Sequence, residues 1–142
     1  MAAREWWTVI LTALAGPVGS VLAGFGLARL AEATTGGMAG LAAGVAGLWL
    51  GAPLLAVIVF AICLVTLMRP LPVRRGIALV VMVAAAIVEA IAVLIGLRVV
   101  GGSATPEIGL VIVAFCAIGI LGAGAVLAIR ASRRRIIVEA AD

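Results

Sequence analysis

The chain has 142 residues, of which 66% are hydrophobic and 11% charged, with a mean hydropathy of +1.40. Soluble globular domains carry an apolar share nearer half. The composition therefore excludes such a domain and predicts an all-α integral membrane protein. All ten basic residues are arginine, histidine, lysine, tyrosine, asparagine and glutamine are absent, and Asp142 is the only aspartate. Without imidazole or lysine there is no haem or zinc ligand set, no triad base and no Schiff-base former, so neither an enzyme nor a bound cofactor or metal is expected. Cys63 and Cys116 lie in apolar runs with no CxxC and read as small hydrophobes. The pI near 11.1 does not imply nucleic acid, because the arginines flank apolar segments and form no face interleaved with aromatic readers. Usage rich in Ala, Arg, Gly and Val and free of lysine is the pattern of a GC-rich bacterial genome.

A spanning helix needs about 20 predominantly apolar residues to cross roughly 30 Å of hydrocarbon. The first such run, about Thr8 to Leu27, is entered through Arg4, Glu5 and the Trp6-Trp7 pair, whose indoles suit a headgroup interface. It is longer than the apolar stretch of a signal peptide and is read as a span. Glu32 to Gly37 reads as a short loop. Met38 to Met68 would make a single helix of about 46 Å, too long for one untilted span. The expectation is a helix over 44–67 with a kink at Pro53 and an interfacial lead-in over 38–43; a re-entrant turn in the glycine-dense stretch 36–51 is the alternative. Arg69-Pro70-Leu71-Pro72-Val73-Arg74-Arg75 reads as a basic connector over 69–75 that two prolines keep out of a helix. The third helix is expected over 76–99 and the fourth over 107–129, with Pro106 and Glu107 at its start and a basic tail over 130–142.

Eight arginines fall on one side of this arrangement and only Arg29 and Arg98 on the other. The positive-inside rule then predicts that both termini and the connector are cytoplasmic. The expected architecture is one membrane domain over 1–142, a four-transmembrane-helix bundle in a bacterial cell (plasma) membrane. Small residues spaced by four, as in Ala15, Gly19, Ala23, in Gly16, Ser20, Gly24, in Gly40, Gly44, in Gly47, Gly51 and in Gly119, Ala123, allow helix backbones to approach closely, within the chain or against another subunit. Arg130, Arg133, Arg134 and Arg135 serve topology and are candidates for contact with anionic lipid.

Glu89 is the acidic residue set deep in an apolar run, with at least eight apolar residues on each side. Such a residue costs about 2.5 to 3.5 kcal/mol to insert at mid-membrane, so it calls for a function. Ala85, Ala86, Ala92 and Val93 surround it one turn away, which places the carboxyl at a helix interface. Counting residues puts Ser20 in nearly the same layer, and Pro53 frees the carbonyl of Trp49. Glu89 and Ser20 are therefore the candidate ion, proton or interhelical site.

The stretch Gly76 to Val99, with its Glu89-Ala90 pair, resembles the carboxylate-bearing second helix of rotor proteolipids, the c subunits of ATP synthases. Arg69-Pro70 stands where that family has a polar loop, and the glycines of 36–51 are similar to its glycine-rich first helix. The resemblance implies an ion-binding carboxylate at Glu89. The arginine-proline connector, its distance from Glu89, Arg98 and the fourth helix depart from the family's hairpin.

Two functions are expected. One is a non-catalytic accessory or structural subunit that acts by helix packing, with membrane lipids and a larger complex or a second copy as partners. The other is a homo-oligomeric proton- or cation-linked transporter or channel component that uses Glu89.

Overall fold

The computed structural model describes residues 2–34, 36, 38–70, 72–100 and 106–141; the side chains of 39, 97, 99–100, 106–107, 110 and 133–141 lie outside the description. It is all-helical, with α1 (Ala3–Thr34), α2 (Met38–Cys63), a π-helical continuation of α2 (Leu64–Met68), α3 (Pro72–Val100) and α4 (Pro106–Ala141). Among the described residues, four helices are long and apolar enough to cross a membrane. Each packs antiparallel on the next, and α4 returns to α1, so that α1 faces α3 and α2 faces α4 across the bundle.

The helices overrun the expected boundaries because hydropathy marks the apolar stretch, whereas helical hydrogen bonding continues beyond it. The loop expected over 32–37 is shorter: α1 continues to Thr34, whose hydroxyl donates to the Leu30 carbonyl at 2.9 Å. Gly36 then turns the chain with φ +68°, its N–H donating to the Ala31 carbonyl at 3.2 Å. The re-entrant turn is absent, since α2 is one helix from Met38 through Pro53, with residues 38–43 as its first turns. Its glycines are used for packing against α1. Pro17 likewise lies inside an unbroken α1.

The connector is shorter too. Pro72 opens α3, where its missing N–H is no loss, so Val73, Arg74 and Arg75 are helical. Arg69 closes the π segment in a left-handed conformation, φ 44° and ψ 48°, with its N–H donating to the Leu64 carbonyl at 3.0 Å. The Arg75 guanidinium Nε donates to the Pro70 carbonyl at 2.9 Å and ties the turn to α3. At its far end α4 continues past residue 129 to Ala141.

Two kinds of packing hold the bundle. Toward the end that carries Arg4, Arg69, Arg74, Arg75 and Arg130, buried Phe60, Leu64, Met82, Leu121 and Ile129 form a side-chain core with the alanines between them. Toward the other end, α1 and α2 meet almost backbone to backbone. A Cβ on Gly19 would strike the Gly51 carbonyl and stand 2.6 Å from the Leu55 Cβ, and one on Gly47 would stand 2.5 Å from the Ala23 carbonyl. The small-residue ridges of α1 and α2 are thus spent within the chain.

Candidate functional site

Glu89 projects from the face of α3 that also carries Ala78, Met82, Ala86 and Val93, all buried. These positions recur every three or four residues, so they form one stripe toward the interior. The carboxylate residue is completely enclosed, and neither carboxylate oxygen has a hydrogen-bond partner among the described residues. The expectation that Glu89 faces a helix interface holds, and that interface is the chain's own interior.

Neighbouring contacts fix its level. On α4, Gly124 packs against Ala85, and Ile112 lies 3.9 Å from where a Cβ on Gly96 would stand. Glu89, between Ala85 and Gly96 on α3, therefore falls opposite residues 119–120. Ala117 and Leu121, which bracket that level, pack on Gly16 of α1. The pairing of Gly19 with Gly51 and Leu55 brings Ala56 of α2 to the same height. Gly16, Ala56, Ala117 and Leu121 thus lie at the same height along the bundle as Glu89.

Ser20 does not pair with Glu89. Its buried hydroxyl donates to the Leu48 carbonyl on α2 at 2.9 Å, an interhelical bond about one turn away from the Glu89 level. Trp49 is half-buried and Pro53 buried close to that bond. Cys63 is buried and Cys116 half-buried, both as free thiols. Arg130 is exposed near the arginine-bearing end. The side chains of Arg133, Arg134 and Arg135 lie outside the described residues.

Sequence reasoning missed Thr12. It is fully enclosed on α1, one turn from Gly16 toward the arginine-bearing end, and its hydroxyl has no partner among the described residues. The signal was present: Glu5, Thr8, Thr12, Gly16 and Ser20 follow helical spacing along one buried stripe of α1. Glu5 was also passed over as a flanking charge. It is buried in the first turn, where its Oε2 accepts the Ala2 N–H at 3.1 Å while the Ala2 carbonyl accepts the Glu5 N–H at 3.0 Å.

A separate groove of about 440 Å³ opens between α1 and α2 at the end away from the arginines, lined by Phe25, Leu41, Val45 and Leu48 with Glu32. Gly24, Gly40 and Gly44 also line it.

No protein-family model matches the chain, and no curated protein or solved structure is detectably similar to it. The likeness of Gly76 to Val99 to rotor proteolipids therefore stays with its few quoted residues.

Proposed function

We propose that the chain is a multi-pass protein of a bacterial cell membrane, with both termini cytoplasmic, that serves as a non-catalytic accessory or structural subunit through the outer faces of its helices. The observation that carries this reading is the circumference of the bundle. Every helix presents large apolar side chains outward, among them Leu22, Leu54, Val80 and Phe115, each 63% exposed or more. A soluble monomer rarely exposes an apolar patch of more than a few hundred Å², whereas lipid or a membrane partner covers such a surface without cost. The arginines gathered at one end support the orientation. Native mass spectrometry of the protein extracted gently into nanodiscs tests the role. A stoichiometric partner protein is expected, and a chain recovered alone as a monomer overturns it.

A second reading is favoured by one observation, the enclosed carboxylate of Glu89. In it the chain forms a homo-oligomer whose proton- or cation-linked activity uses that group. Proteoliposomes made with Glu89→Gln are then expected to lose proton or cation flux while the protein stays folded. Flux equal to that of the parent removes this reading.

A further inference from the structure

Hydroxyls inside helices ordinarily satisfy themselves on a backbone carbonyl one turn back. In this chain Thr8 does so on Arg4 at 2.9 Å, Thr66 on Ile62 at 2.7 Å and Ser132 on Ile129 at 2.7 Å, while Ser20 uses Leu48. Thr12 is the exception among the described hydroxyls, and it is also fully enclosed. Its Oγ1 is therefore not turned back onto its own helix. The only other enclosed side-chain oxygens without a partner among the described residues are the two of Glu89.

These two orphaned groups share one interior. Thr12 lies on the inward stripe of α1 and Glu89 on that of α3, the helix diagonally opposite. Glu89 is level with Gly16, and Thr12 is one turn, about 5.4 Å of axial rise, nearer the arginine-bearing end. Gly16, Ala56 and Ala117 are the short residues at the Glu89 level, where the Leu121 side chain packs against Gly16. Leaving three buried oxygens unsatisfied costs about 1 to 3 kcal/mol for each group, and buried polar groups in proteins are as a rule satisfied by protein or by ordered water.

We propose that Thr12 and Glu89 form a binding site for an ordered water inside the bundle. The Thr12 hydroxyl donates to the water oxygen, and the water donates to a Glu89 carboxyl oxygen. A buried water needs two to four polar partners, and these two side chains supply that number. The site belongs to the single chain and stands whether the bundle serves as a subunit or as a conducting oligomer.

The test is water-to-methyl magnetisation transfer by NMR on the full chain in nanodiscs, with threonine and alanine methyls labelled. A long-lived water is expected to give cross-peaks to the Thr12 and Ala117 methyls. The Ala117 peak is expected to vanish in Thr12→Val, and both peaks are expected to vanish in Glu89→Leu and to persist in Glu89→Gln, whose amide can still hold the water. Absence of the peaks from the parent protein overturns the proposal without recourse to any variant, as does their survival in Glu89→Leu. Repeating the measurement with sodium replaced by N-methylglucamine distinguishes a cation: a sodium-dependent shift of the Glu89 carboxyl carbon without a water cross-peak would also overturn it.

Discussion

The Ser20 hydroxyl reaches across the α1–α2 interface to the Leu48 carbonyl at 2.9 Å. That carbonyl keeps a lone pair for a second donor while it serves its own helix, so the bond ties two helices together without unwinding either. It is possible because Gly19, Ala23, Gly47 and Gly51 let the backbones meet on both sides of it.

Replacing Ser20 by alanine is expected to weaken the bundle by about 0.6 kcal/mol and by no more than ~2, the range of hydrogen bonds between membrane helices. Steric trapping or reversible unfolding in bicelles reads this directly. A loss well above that range would mean that Ser20 holds more than the Leu48 carbonyl.

Gly19→Ala is a harsher change. Its new methyl would collide with the Gly51 carbonyl and crowd Leu55, and overpacking of this kind costs about 1 to 3 kcal/mol. Gly26 is the matched control, because nothing lies within 4 Å of a Cβ built there. Gly26→Ala is expected to be neutral or stabilising by up to ~1 kcal/mol, since alanine is the better helix former. Equal effects at the two positions would contradict the close approach of α1 and α2.

Glu89→Leu is expected to leave the folded bundle at least as stable as the parent. An apolar side chain of similar size removes the desolvation burden of an enclosed polar group, about 1 to 3 kcal/mol in protein mutational series, which offsets the cost of leaving the Thr12 hydroxyl without the bridging water. The midpoint of thermal or denaturant unfolding in the same detergent reports it. A large destabilisation would reveal a strong hydrogen-bond partner for Glu89.

The proposed orientation is checked with single cysteines after Cys63 and Cys116 are changed to alanine. Thr34 and Val73 are both exposed, at opposite ends of the bundle. In intact cells an impermeant maleimide is expected to label Thr34→Cys at once and Val73→Cys only after the membrane is opened. The reverse pattern would invert the topology.

The apolar runs carried the helix count, and the small-residue ridges carried the reason for close packing. What the residues did not disclose is where hydrogen bonding stops. Thr34 and Gly36 extend and cap α1 through local bonds invisible to hydropathy, and Pro72, which looks like a breaker, is a favourable opening residue for α3. The π segment before Arg69 has no composition of its own to announce it. The alanines around Glu89 correctly pointed it toward a helix interface. The same depth count brought Ser20 close to its layer, yet the hydroxyl went to a carbonyl that only the α1–α2 register supplies. Thr12 escaped notice because threonine in a helix usually satisfies itself.

The near contact of backbones along α1 and α2 also bears on how the chain acquires its shape. Glycine and alanine have no rotamers to freeze, so bringing these two helices together sacrifices little side-chain freedom, unlike docking the longer side chains of α3 and α4. The first hairpin can assemble early as a rigid half, against whose finished surface the second half then settles.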